Sequence, residues 1–148
     1  MNILILYASY SGGTMQAAQI IHDAIVNKGA TATMKLFSEA KPAELDEYDV
    51  IVLGSPSWNV DGKEGQPHED CTAFMQLCAD KTIAKSFAVF GLGDESYEYY
   101  CGAVSHLETF IQSVHGTIKQ PSLKINGFFF DLEGNTKLLQ EWAQKLVP

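Results

Sequence analysis

Short apolar, β-branched runs alternate along this chain with stretches of helical period. Runs at Ile3–Ala8, Thr33–Phe37, Val50–Gly54 and Phe87–Phe90, with a looser fifth around Leu123–Phe128, have the length and residue types of strands. The first, third and fourth are apolar throughout, as strands buried on both faces are. The second carries Lys35 between Met34 and Leu36, and the fifth is interrupted by Lys124 and Asn126, a pattern suited to sheet edges. Between the first two strands, Ala17, Ala18, Ile21, Ala24 and Ile25 make one helical stripe, which Gly29 ends. Cys71, Phe74, Leu77 and Cys78 line a short second helix. Val104, Leu107, Phe110, Ile111 and Val114 line a third before Gly116, and Leu138, Leu139, Trp142, Ala143 and Leu146 a fourth. This alternation predicts an α/β fold: a three-layer, doubly wound, five-stranded parallel sheet in the order 2-1-3-4-5, with the two polar strands at its edges.

Length adds that the 148 residues form one domain, since no repeat, low-complexity stretch or linker divides them. Charge narrows the partners. The net charge is −8, and all ten basic residues are lysines. A chain without arginine is poorly equipped for nucleic acid or an anionic membrane, which draw on clustered Lys/Arg and on the guanidinium fork. The three cysteines, Cys71, Cys78 and Cys101, show no metal-binding or paired spacing and fit a reducing compartment, so a cytoplasmic location is expected. The apolar run Ile3–Tyr7 is too short to span a bilayer and has no basic residue before it, so it reads as a buried strand.

In a doubly wound sheet, ligands sit beyond the carboxyl ends of the strands. Three loops there are rich in Gly, Ser and aromatic residues. The first, Ser9-Tyr10-Ser11-Gly12-Gly13-Thr14, leads into the first helix, so hydroxyls and backbone N–H groups gather at the positive end of the helix dipole and form an anion site. A nucleotide-triphosphate loop needs a lysine here, and the only charged side chain through residue 27 is Asp23. What remains suits a phosphate monoester held by neutral donors. The second loop, Gly54 to Gly62, sets Trp58 beyond a buried strand. The third, Gly91 to Gly102, adds Tyr97, Tyr99 and Tyr100 at the same end. A flat heteroaromatic ligand between them would gain roughly 1–3 kcal/mol per stacked aromatic.

Ser9-x-Ser11-Gly12-x-Thr14 resembles the phosphate loop of the flavodoxins, small one-electron carriers that hold FMN noncovalently. Gly91-x-Gly93-Asp94-x-Ser96-Tyr97-Glu98-Tyr99-x-Cys101-Gly102-Ala103-Val104 resembles the isoalloxazine loop of short-chain members from sulfate-reducing bacteria. The resemblance covers essentially the whole chain, and Gly116–Phe128 leaves no room for the segment that long-chain members insert in the fifth strand. It implies that Trp58 covers the inner face of the flavin and Tyr97 the outer. Backbone groups of Asp94, Tyr99 and Cys101 would serve the pyrimidine edge, with Pro56 and Ser57 along the ribityl chain. Ser9, Tyr10, Ser11, Gly12, Gly13 and Thr14 complete the implied cofactor set, with Asn59, Val60, Leu92, Gly93 and Tyr100. Asn59 stands where many relatives have glycine; there the residue's carbonyl turns toward flavin N5 when the neutral semiquinone forms. Asparagine tolerates the positive φ this needs less well than glycine, so a weaker but retained semiquinone stabilisation follows. Two stretches depart from the family pattern: Tyr10 in the phosphate loop, and Asp61–Asp70, within which His68 reads as a solvated loop histidine, the alternative being a place near the flavin rim.

Asp61, Glu64, Glu69, Asp70, Asp94, Glu95 and Glu98 crowd the cofactor end, opposed there only by Lys63. Such a field disfavours the anionic hydroquinone and steers basic patches on redox partners, reductase donors and low-potential acceptors. The implied protein is a monomeric, cytoplasmic electron carrier shuttling FMN between semiquinone and hydroquinone, with no metal and no catalytic side chain. The alternative is an FMN-dependent NAD(P)H quinone or nitro reductase of similar fold. Against it, Trp58 and Tyr97 would occupy both flavin faces, and no arginine is present to clamp a nicotinamide nucleotide. A phosphoacceptor receiver domain needs aspartates where Ala8-Ser9 and Gly54-Ser55 stand.

Overall fold

Strands that are apolar on both faces need cover from both sides, and alternate crossovers supply it. In a computed structural model of residues 1–148, the chain runs β1 (Asn2–Tyr7), α1 (Gly13–Asn27), β2 (Thr31–Leu36), β3 (Val50–Pro56), β4 (Trp58–Val60) and β5 (Lys63–Gln66). It continues through α2 (Glu69–Leu77), β6 (Ser86–Gly93), α3 (Gly102–Ser113), β7 (Thr117–Ile118), β8 (Leu123–Asn126) and α4 (Leu132–Gln144). Strands β2, β1, β3 and β6 lie parallel in that order.

The fifth position is filled by two pieces. β7 pairs with the start of β6 (Ser86 with Thr117), and β8 with its end (Phe90 with Leu123 through Gly93 with Asn126). The expected 2-1-3-4-5 order therefore holds with its last strand split. Pro121 lies in the gap, and a residue without an N–H cannot continue the ladder. The strand expected over Leu123–Phe128 stops at Asn126 because Gly127 turns the chain with φ +53.

Side chains alternate across the sheet and build two cores. Ile3 and Ile5 of β1 join Val50, Val52 and Phe90 beneath α1 and α4, whereas Leu4 and Leu6 join Ile51, Leu53, Phe87 and Val89 beneath α2 and α3. Trp142 closes the first core, its ring centroid 6.3 Å from that of Phe90 in an edge-on arrangement and its indole N–H donating to the Pro121 carbonyl at 2.9 Å. At the other edge β2 passes to β3 through 3₁₀ turns at Phe37–Glu39 and Pro42–Glu47, and Glu44 in the second of these pairs with Lys35. The lysine that marked β2 as an edge thus has a carboxylate partner.

Two antiparallel strands, β4 and β5, were read from the sequence as loop. Asp61-Gly62, with φ of 52° and 83°, makes the turn between them, and such a pair has the backbone twist a two-residue hairpin requires.

Candidate functional site

The loop from β1 to α1 is shaped by its own side chains. Ser9 Oγ accepts the Gly12 N–H at 2.9 Å, folding the loop back and leaving the serine O–H free to donate. Gly12, with φ 88°, turns the chain into α1, and no side chain caps that helix and no acidic residue occupies its first turn. Gly13 and Thr14 are buried at the start of α1. The first N–H groups of a helix have no partner of their own, so this terminus presents neutral donors and the positive end of a dipole.

Trp58 and Asn59 open the hairpin beyond β3. Trp58 is 55% exposed, and Tyr10 leans on it with ring centroids 5.3 Å apart. Tyr10 also stacks on His68 at 4.1 Å, and burial raises the pKa of its phenol. His68 is therefore not a solvated loop residue: its Nδ1 accepts the Asp70 N–H to cap α2, and its own N–H donates to Ser55 Oγ. Ser57 donates its N–H to the Leu92 carbonyl, while its Oγ accepts the Ala103 N–H at 2.9 Å, which leaves its O–H for a ligand. Asn59 Oδ1 accepts the Gly62 N–H at 3.0 Å and braces the turn.

The loop after β6 supplies a further wall. Asp94 accepts the Ser96 N–H at 2.9 Å, and that bond holds its carboxyl below the usual range. Glu95 donates its N–H to Asn126 Oδ1, tying the loop to β8. Cys101 enters α3 in a left-handed conformation, φ 50°, with its buried thiol 3.6 Å from the Gly91 carbonyl oxygen; burial pushes its pKa up to about 11. Burial raises the neighbouring Tyr100 phenol as well. Tyr97 stands 60% exposed at the cavity.

These loops surround one cavity of about 640 Å³, a volume typical of small-molecule sites. All the residues expected at the cofactor border it except Gly12 and Val60. Gly12 sets the loop without reaching the cavity. Val60 faces a separate groove, beside Asp61 and Lys63, because a register irregularity between Trp58 and Val60 breaks the alternation of β4 and re-aims it. The structure adds borders that the loops alone did not reveal: Glu64 and Gly65 on β5, and the segment Gly127–Phe130. Phe129 and Leu92 both pack against Gly13, and Phe130 stands 92% exposed at the rim. Buried Asn135 holds this segment in place, its amide donating toward the carbonyls of Asn126, Gly127 and Phe128. The signals for these borders were present as an Asp-Gly turn, which returns β5 to the site, and three consecutive phenylalanines after a strand end.

A doubly wound sheet with an uncapped helix terminus and aromatic walls meeting beyond its strand ends defines an α/β protein built around a phosphorylated, planar ligand. Comparisons with known proteins make this specific. The flavodoxin family model matches residues 5–128. The chain is 31% identical to the flavodoxin of Maridesulfovibrio salexigens over 126 residues, covering 84% of this chain and 85% of that one. It is likewise 31% identical to the flavodoxin of Nitratidesulfovibrio vulgaris over 147 residues, 99% and 97% of the two chains. The crystal structure of oxidised Flavodoxin 2 from Bacillus cereus superposes with a TM-score of 0.85 at 30% identity, covering 97% of this chain and 95% of that one. This chain belongs to the flavodoxin family, whose members are FMN-binding electron carriers and not enzymes. Between α3 and α4 it passes through β7, Pro121 and β8 with no added segment, which makes it a short-chain form. No helix is long and apolar enough to cross a membrane.

Proposed function

We propose that the 148 residues act as one FMN-binding domain and carry single electrons at low potential between cytoplasmic proteins with basic docking patches. Bound FMN supplies the reversible one-electron chemistry. The chain's part is to bind, orient and shield it. The hydroxyls of Ser9, Ser11 and Thr14 and the first N–H groups of α1 hold the phosphate. Trp58 and Tyr97 cover the two ring faces and exclude water, the backbone of Asp94, Tyr99 and Cys101 serves the polar ring edge, and Pro56 and Ser57 follow the ribityl chain.

One observation carries the reading: an uncapped helix terminus and exposed aromatics from two loops border the same cavity. The donor set fits a phosphate without a cation, since Ser9 accepts from Gly12 and keeps its own proton for a ligand. Seven carboxylates near this end, from Asp61 to Glu98, oppose added negative charge on the ring and favour basic partners. The purified protein is expected to be yellow and to turn blue on partial reduction, with Trp58 fluorescence quenched as FMN is titrated into the ligand-free chain. A colourless protein that takes up no FMN would overturn the reading. Mixing the FMN-loaded protein with NADPH alone is expected to leave the colour unchanged, whereas rapid bleaching would identify a reductase.

A further inference from the structure

An isolated two-stranded hairpin is marginal in water, and the β4–β5 hairpin has little core of its own. From Trp58 to Glu64 none of its residues is buried, whereas Gly65, on the returning strand, is. Gly65 lies where the hairpin meets the loop after β6. A Cβ placed on it would stand 2.7 Å from Tyr99 Cβ and 3.3 Å from the Tyr99 carbonyl oxygen. A Cβ on Gly102, the first residue of α3, would stand 2.6 Å from the Gly65 carbonyl oxygen and 2.8 Å from Gly65 Cα. The two backbones touch with no room for a methyl group between them. A second tie lies at the hairpin's other root, where Ser57 Oγ accepts the Ala103 N–H at 2.9 Å. The first turn of α3 is thus held from both ends of the arc that carries Trp58 and Asn59.

We propose that Gly65 and Gly102 are positioning residues: their backbone seam fuses the Trp58 hairpin and the Tyr97–Cys101 loop into one body, so that both walls of the slot open and close together. Backbone conformation alone does not explain the pair. Gly65 has φ +70°, but Gly102 is an ordinary helical position, and Asp61 and Cys101 adopt positive φ in the same loops while keeping side chains. At Gly102 it is the contact that excludes a Cβ. The seam sets the slot width before a ligand arrives, and a preformed slot does not lose binding free energy to loop ordering. Only the affinity arm of its test rests on the FMN reading.

Amide hydrogen exchange of the ligand-free protein tests the seam directly. In the wild-type chain, amides of 58–66 and of 94–101 are expected to exchange through a common opening. In Gly102→Ala both segments speed up together by about tenfold or more, the scale of an overpacked contact, while β1 and α1 amides keep their rates. Exchange that rises in one segment alone, or in neither, would overturn the proposal. With FMN added, Gly102→Ala is expected to bind about tenfold more weakly and to change the visible circular dichroism of the bound flavin, which senses both walls. An affinity within about twofold of wild type and an unchanged spectrum would refute it. If Gly102→Ala does not fold, Ser57→Ala removes the second tie without adding an atom and must loosen the same two segments jointly. A wild-type chain that takes up no FMN would count against the cofactor reading, while the exchange measurements would still decide the seam.

Discussion

Replacing Asn59 by glycine tests the turn position at which, by the family resemblance, many relatives carry glycine. In the structure Asn59 has no positive φ, and its Oδ1 accepts the Gly62 N–H at 3.0 Å. The family resemblance has the residue 59 carbonyl turn toward flavin N5 on one-electron reduction, a movement that carries this residue toward the left-handed region. Entering that region costs about 1 kcal/mol for asparagine, the low end for an L-residue. Releasing the Asx bond at this exposed site costs about 0.5 kcal/mol more. Glycine removes both costs, and the sum, about 1.5 kcal/mol, corresponds to about 65 mV for a one-electron couple. Because the one-electron-reduced state belongs to both couples, stabilising it raises the first potential and lowers the second. The gap between them is therefore expected to widen by about 130 mV in Asn59→Gly. Spectroelectrochemical titration at neutral pH measures both couples at once. Asn59→Ala separates the two contributions: it loses the bond but keeps a Cβ that resists positive φ, so its gap should stay near that of the wild type. An unchanged gap in Asn59→Gly, or a gap widened equally in both variants, would refute the reasoning.

Other expectations bear on stability, reactivity and exchange. Asp131 caps α4 by accepting the Gly134 N–H at 3.1 Å, so Asp131→Ala is expected to lower the urea midpoint by the equivalent of about 1 kcal/mol, with an unchanged slope. Lys35 holds the Glu44 carboxyl below its ordinary value of 4.5, so this pair's stabilisation is complete above that value and is lost as the pH falls through the lower, folded-state pKa. Thermal melts of Lys35→Met should therefore fall less steeply on acidification than those of the wild type; parallel curves would remove the pair from the acid limb. Burial pushes the thiols of Cys78 and Cys101 up to about 11 and raises that of Cys71, so an aromatic disulfide reagent near neutral pH should label none until urea unfolds the chain. Electron exchange with a basic partner protein should slow with added salt, and stopped-flow rates that ignore ionic strength would dismiss the steering role given to the acidic residues at the cofactor end.

The sheet was legible because its signals are local. β1, β3 and β6 are apolar without a break over Ile3–Tyr7, Val50–Gly54 and Phe87–Leu92, and the stripes of α1, α3 and α4 repeat at helical period, so both cores follow from one-dimensional patterns. The split of the last strand was less visible. A single proline marks the gap, and β7 is only two residues long, too short for any periodicity to register. At the site, loops with distinctive composition announced themselves, whereas borders made by ordinary residues did not. Gly65 borders the cavity because an Asp-Gly turn doubles the chain back, and Phe129 because a buried asparagine pins its segment over Gly13. Both placements are tertiary events. His68 shows the same limit, since its cover comes from Tyr10, fifty-eight positions away in the chain, and nothing around residue 68 announces it.

The absence of arginine and the crowding of carboxylates belong to one electrostatic arrangement. A phosphate held by an arginine or lysine would bring a full positive charge into the slot, and that charge would favour electrons on the ring as well as the phosphate. Hydroxyls and helix N–H groups act differently: their dipoles are aimed at the anion and fall off within the first turn, so little of their field reaches the far end of an extended ligand. From Met1 through Asn27 the only charged side chain is Asp23, and the cations among the carboxylates at the ring end are Lys63 and, beside Asp94 and Glu95, Lys124, which the sequence did not place there. In the proposed site, affinity for the phosphate and disfavour toward extra negative charge on the ring are therefore set by separate groups. Either one can change without forcing the other, which one cationic anchor beneath the phosphate would not permit.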